Sequence, residues 1–230
     1  MGRDNTPVRK LFDYVEQNML RKLPLCYVLT VCDGPVCGLF IGTERDAFEQ
    51  AVAMSQERNV MLLDEPLPKV VAWMEPGEYH STWLANKAVY RTRMAIADGG
   101  ELVVLAGGVQ RFGEDDAIDG LIRKYGYTGR DNILAQRLAN DDLRSNDSAA
   151  AHLIHGSADG RFTITYCTAK VSKEEINSVG YNWQSYEEAI AYYKPETLQP
   201  GWNEIDGDRF YYIPQPGAGL WANRTRFEEA

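Results

Sequence analysis

The run Trp83–Tyr127, WLANKAVYRTRMAIADGGELVVLAGGVQRFGEDDAIDGLIRKYGY, decides the reading of the fold. Leu84, Lys87, Ala88, Arg91 and Ala95 recur at spacings of three and four, which predicts a helix over about 82–97, closed by Gly99-Gly100. Leu102–Ala106 is a short continuous apolar run, the mark of a strand buried on both faces. A polar, glycine-containing loop and a second helix over about 115–125 follow. Helix, strand, loop and helix in this order belong to an α/β domain in which strands of a mainly parallel, Rossmann-like sheet alternate with flanking helices.

The same rhythm extends on both sides. Val70–Met74 reads as another buried strand, and Phe162–Cys167 as a third. Helices are predicted at about 131–140 and 148–155. Ser172 with Glu175, and Ser185 with Glu188, have the spacing of capping boxes, the second opening a helix to Tyr193. Arg209–Ile213 is the last predicted strand before a glycine-rich tail. Upstream, the stiff stretch Asp64–Pro68 (DEPLP) marks a boundary. Residues 1–66 therefore form a small α+β segment and 67–230 the α/β domain. In the first segment Thr6-Pro7 resembles an N-cap followed by proline at the first helical position. Val8, Leu11, Phe12, Val15 and Met19 continue it as an amphipathic helix to about residue 22. The β-rich runs Leu25–Val31 and Val36–Ile41 flank Asp33-Gly34, a hairpin signal, and a further helix runs from Thr43 to Arg58.

Composition narrows the function classes. A net charge of -9 with scattered arginines argues against a nucleic-acid partner, which needs clustered Lys and Arg. No apolar run approaches the ~18–20 residues of a membrane span, and the polar start MGRDNTPVR is not a signal peptide, so neither a membrane nor export is implied. The four cysteines, Cys26, Cys32, Cys37 and Cys167, form no C-x-x-C pair and read as reduced thiols, which suits a cytoplasmic protein.

Ligands of parallel sheets bind at the carboxyl ends of strands, so the loops to watch are Glu75–Ser81, Gly107–Glu114 and Thr168–Val171. Lys87, one turn inside a helix that opens at that edge, can either hold a carboxylate as a compact charge or snorkel along its own helix. His152 and His155 are three apart on a predicted helix. Two histidines so spaced can ligate a metal or act as an acid/base pair; equally, one can cap the helix end beside Gly156 while the other packs. Gly107, Gly108 and Gly113 follow a strand but match no nucleotide-binding pattern, and Glu114, Asp115 and Asp116 oppose a phosphate there. The acidic pairs Asp64-Glu65 and Asp141-Asp142 read as solvated caps.

LANKAVYRTRMAIADGGELVVLA, aligned without a gap from Lys87 to Gly100, resembles the C-terminal half of the nickel-dependent, LarA-like lactate racemase family of 2-hydroxy-acid racemases and epimerases. The likeness starts at NTPVR and is strongest over Lys87–Gly126 and in AAAHLIHGSADGRF. It implies that Lys87 contacts the substrate carboxylate. Trp83 stands where an aromatic residue is common, and Leu84 where lactate-specific members carry glutamine, which implies a substrate other than lactate, with a larger apolar tail. His152 falls in a region that lines the family's pocket, although the family's acid/base histidines are not His152 or His155.

The family works with a nickel-pincer nucleotide tethered through a lysine, with a histidine on the metal and a histidine pair for the hydroxyl proton. Those motifs would all precede Asn5. No catalytic, cofactor-binding or metal-binding residue is therefore assigned here, and no cofactor is expected on this chain alone. The resemblance implies a preceding N-terminal catalytic domain as partner and a small 2-hydroxy-carboxylate as substrate. The chain then reads as a C-terminal, substrate-side domain, inactive by itself, whether as a piece of a longer protein or as a natural short one. The other reading is a stand-alone, non-enzymatic module that binds small carboxylates.

Overall fold

In the computed structural model, which describes residues 2–229, the Thr6 hydroxyl accepts a hydrogen bond from the Arg9 amide at 3.2 Å and Pro7 takes the first helical position. The helix Pro7–Val15 continues as a wider turn over Glu16–Leu20. Strands β1 (Tyr27–Cys32) and β2 (Val36–Gly42) then form the expected antiparallel hairpin, with Gly34 at φ +73° in its turn. Helix Arg45–Asn59 buries Ala47 and Ala51. A Cβ on Gly38 would lie 2.5 Å from Met54 Sδ, so the helix approaches β2 as closely as glycine allows. Strand β3 (Val60–Leu63) follows that helix. The chain divides into two compact units: residues up to Met61 with Ala218–Leu220, and Leu62–Gly217 with the residues from Trp221 on.

The second unit is built on a sheet of β4 (Leu67–Trp73), β5 (Ile96–Leu105), β6 (Thr163–Thr168), β7 (Asn182–Ser185), β8 (Gly201–Ile205) and β9 (Asp208–Ile213), in the spatial order β7-β6-β5-β4-β9-β8. Every neighbouring pair is parallel except β8 with β9. The three strands expected to be neighbours are therefore side by side in one mainly parallel sheet. One face packs Val71, Val103, Leu105, Cys167, Phe210 and Tyr212 against Ala189 and Tyr193 of helix Tyr186–Tyr193. From the other face Tyr166 reaches Asn86. Helices Asp116–Tyr125, Arg130–Ala139 and Asp147–His155 form close to where they are expected, and Ser172 with Glu175 completes its capping box. The last strand, β10 (Leu220–Asn223), leads into helix Arg224–Glu229, so the glycine-rich tail is partly regular.

One expected element is corrected. The helix over 82–97 is instead two single turns, Thr82–Ala85 and Lys87–Tyr90, and β5 already begins at Ile96. Asn86 sits at the break with ψ near 0° (φ -65°, ψ -1°), and its amide is spent on buried partners described below. Gly99-Gly100 is not a helix stop but lies inside β5. Gly99 takes φ +77°, and a Cβ on Gly100 would lie 2.8 Å from the Pro68 carbonyl oxygen. The glycines thus let β5 bulge past β4, whose register moves from Leu67–Ile96 to Lys69–Glu101. β7 and β8 were not expected. The turn Asp206-Gly207, with both residues at positive φ, carries the same Asp-Gly signal that marks the first hairpin.

Candidate functional site

At the carboxyl rim of the sheet, the loops after β4 and β5 are laced together through the backbone. The Gln110 amide donates to the His80 carbonyl at 2.9 Å, Thr82 to Arg111 at 3.1 Å and Trp83 to Phe112 at 2.8 Å. This closeness requires Gly108, where a Cβ would stand 2.2 Å from the Pro76 carbonyl oxygen. The lacing fixes both Tyr79 and the turn that starts at Thr82.

Lys87 stands on the second turn, half-buried, with Nζ 5.5 Å from the centroid of the Tyr79 ring. A Cβ on Gly217, in the loop after β9, would meet Lys87 Cδ at 3.4 Å and Tyr79 Oη at 2.5 Å. The lysine is thus lodged on the carboxyl side of the sheet, between the loops that follow β4 and β9. Lys69, the other half-buried lysine, gives the contrast. It pairs with Asp208 at 2.6 Å and Glu101 at 3.7 Å, whereas no carboxylate lies within ion-pair distance of Lys87 among the described residues. Nearby in the chain, the buried hydroxyl of Ser81 has no hydrogen-bond partner among the described residues.

Trp83 and Leu84 are both half-buried. The Trp83 ring packs against the His152 imidazole with centroids 4.6 Å apart, and His152 itself is buried. Its Nε2 lies 2.9 Å from the Tyr127 hydroxyl and 3.4 Å from Asn86 Nδ2. Tyr127 is also 2.9 Å from Thr82 Oγ1. Thr82 Oγ1 donates to the Phe112 carbonyl at 2.9 Å, which also accepts from the Trp83 amide. Asn86 Oδ1 accepts from Tyr166 at 2.6 Å and from Tyr181 at 3.1 Å. The Tyr181 ring stacks on Tyr127 at 4.4 Å and on Tyr166 at 4.9 Å. Burial, with a smaller contribution from His155, depresses the His152 pKa to about 3, and burial pushes the three tyrosine hydroxyls well above their ordinary range. The cluster therefore keeps its protons fixed at ordinary pH.

His152 and His155 do not converge. His155 is exposed, edge-on to Tyr90 at 6.4 Å, and its pKa is lowered by partial burial and by Arg93. Among the described residues no group of three or more His, Cys, Asp or Glu could hold a metal. The glycine loop holds an anion of its own making: Asp119 Oδ1 accepts from the Phe112 and Gly113 amides at 2.7 and 3.0 Å. Although burial opposes it, hydrogen bonds from Arg123 and these amides hold the Asp119 carboxyl below its usual range. A cavity of about 650 Å³ opens at the amino ends of β6 and β7, beside Gly129, Asp159, Thr163 and Asn182, and none of Trp83, Leu84, Lys87 or His152 lines it.

Tyr79 beside Lys87, and the linked Asn86, Tyr127, Tyr166 and Tyr181 beside His152, do not emerge from the sequence. Only Asn86 leaves a signal there, since asparagine inside a helix competes with the backbone for hydrogen bonds. No helix among the described residues is long and apolar enough to cross a membrane.

No protein-family model matches the sequence, and no curated protein matches it. Solved structures do. A crystal structure of a Thermotoga maritima protein from a structural genomics consortium superposes with a TM-score of 0.73 at 21% identity, over 97% of this chain and 55% of its own. The lactate racemase apoprotein from Thermoanaerobacterium thermosaccharolyticum superposes with a TM-score of 0.65 at 12% identity, over 96% of this chain and 50% of its own. The chain thus spans about half the length of each, and at these identities what the likeness shows is a shared fold.

Proposed function

We propose that this chain is the substrate-side domain of a 2-hydroxy-acid racemase or epimerase, in which Lys87 anchors the substrate carboxylate. The observation that carries the reading is a half-buried lysine at the carboxyl rim with no acid partner among the described residues. A half-buried ammonium with no carboxylate beside it among the described residues keeps its donors for a ligand, and a small carboxylate can take them. Tyr79 holds the ammonium through its ring face without neutralising it. Leu84 supplies an apolar side chain where lactate-specific relatives carry glutamine, which favours a hydroxy acid with an apolar substituent over lactate. The resemblance assigns the hydride-accepting nickel nucleotide and the proton-transferring histidines to a preceding domain. This chain's own contribution is to bind and orient the acid.

The test is a calorimetric titration of the chain with lactate and with 2-hydroxy acids of longer apolar side chains, repeated with Lys87→Ala. Saturable binding that disappears in the variant, stronger for the longer acids, is expected. Equal binding to both proteins would sink the assignment. Racemisation should emerge only when the cofactor-loaded other half is added, whereas turnover by the chain alone would show that its catalytic residues lie within these 230 positions.

A further inference from the structure

We propose that the outer face of the β1–β2 hairpin is the docking surface for the polypeptide that supplies the other half of this enzyme, a folded segment whose contact surface is apolar and uncharged. The proposal rests on the reading of the chain as a substrate-side domain. Exposure alternates strictly along β1 up to its bulge. Tyr27, Leu29 and Val31 are at least half-buried, while Val28 and Thr30 are exposed. Across the ladder Val28 pairs with Ile41 and Thr30 with Leu39, so these four residues share one face. Val28, Leu39 and Ile41 are 63%, 59% and 61% exposed, about what an unpacked side chain shows.

Neither strand contains a charged residue. As a two-stranded sheet, the hairpin also leaves one edge of each strand unpaired. Soluble proteins guard such edges with lysines, prolines or inward charges, and an isolated hairpin is marginal in water. Of the fifteen large apolar side chains that are exposed among the described residues, eleven lie between Val8 and Ile41. That concentration exceeds the scattered exposure of an ordinary monomer surface.

The occupant follows from the chains that share this fold. Similarity covers 97% and 96% of this protein but 55% and 50% of theirs, so each carries roughly as much polypeptide again. A segment of that size can cover the hairpin with apolar side chains and extend its open edges. A lipid surface fits less well, because the face offers no lysine or arginine and the chain carries a net charge of -9.

The experiment places a photo-reactive amino acid at Leu39 of the full chain, expressed in its native host, and identifies the adducts by mass spectrometry. A second probe at Leu138, on helix Arg130–Ala139 of the other unit, controls for chance collision. The expected adduct at Leu39 is a polypeptide related in sequence to the uncovered halves of the two solved chains. It should fall at least tenfold with Val28→Lys or Ile41→Lys, substitutions that project into solvent and leave the fold intact. Adducts to a second copy of this chain, to lipid, to unrelated proteins alone, or to nothing would each overturn the proposal. The substrate reading is scored separately on the same protein. Carboxylate binding without the adduct overturns the docking surface alone, and the adduct without carboxylate binding overturns the role of Lys87 alone.

Discussion

Lys87 and Tyr79 are held as a cation over an aromatic face, Nζ 5.5 Å from the ring centroid, with Gly217 allowing the two side chains to approach the loop after β9. The ring attracts the ammonium but leaves its three N–H donors for a ligand, which a carboxylate partner would not.

Tyr79→Leu should therefore weaken carboxylate binding by a factor of roughly 2–5, the equivalent of ~0.5–1 kcal/mol for a partly exposed cation–π contact. Tyr79→Phe keeps the ring and should bind like the parent. Titration of all three proteins with one 2-hydroxy acid decides the matter, and equal affinity in the leucine variant would remove Tyr79 from the site.

Gly108→Ala should destabilise the protein by roughly 1–3 kcal/mol, because the new methyl meets backbone, not a flexible side-chain end. Its Cβ would stand 2.2 Å from the Pro76 carbonyl oxygen and 2.8 Å from that of Tyr79. Urea denaturation monitored by tryptophan fluorescence measures the loss. Since the same contact fixes Tyr79, carboxylate affinity should fall together with stability. Gly120→Ala, exposed inside helix Asp116–Tyr125 where a Cβ would meet nothing within 4 Å, is the control: affinity should stay unchanged and stability should rise by ~0.5–1 kcal/mol.

His152 makes stability pH-dependent with a definite sign. Its native pKa, about 3, is below the 6.5 of a free imidazole. Below that value the unfolded chain takes up a proton that the native state refuses. The contribution of a neutral His152 is thus complete above pH ~6.5 and drains away as the pH falls toward 3, at roughly 1 kcal/mol per pH unit. His155 and the paired carboxylates add acid sensitivity of their own, so the quantity to measure is parent minus His152→Gln, by denaturant unfolding at pH 7 and pH 4.5. A difference that stays constant between the two pH values would mean that His152 takes up its proton equally in the native and the unfolded protein.

Sequence periodicity located the centre of the sheet because buried parallel strands such as Val70–Met74 and Leu102–Ala106 are continuous apolar runs. It placed the helices after Gly113 because Asp115, Ser172 and Ser185 carry their caps locally. It failed between Ser81 and Ile96, where the spacing of Leu84, Ala88 and Ala95 is helical but tertiary hydrogen bonds to Asn86 break the helix. β7, with its polar sequence Asn-Trp-Gln-Ser, had no periodic signal to give. A role for Lys87 came from the resemblance, and only its place after β4 was legible from element order. Its neighbours Tyr79 and Gly217 were not, since loops following different strands meet only in three dimensions.

Asn86 is a buried junction of several of these hydrogen bonds. Its side chain accepts from Tyr166 and Tyr181, the latter also donating to the Gly156 carbonyl at 2.8 Å, and its Nδ2 faces His152. Asn86→Ala strips Tyr166 of the partner seen in the structure and leaves its buried hydroxyl unsatisfied, at a cost of roughly 1–3 kcal/mol. Tyr181 keeps Gly156, so the loss should sit at the low end unless the stacked rings shift. The double variant Asn86→Ala with Tyr166→Phe separates the two cases. Removing the orphaned hydroxyl as well should recover part of the stability, giving a coupling of opposite sign to the single losses in a double-mutant cycle. Recovery would show that the penalty is an unpaired hydroxyl. Strict additivity would show instead that Asn86 acts by ending the first helical turn, in which case the amide envelope of Lys87 and Ala88 in hydrogen exchange should change while that of β6 does not.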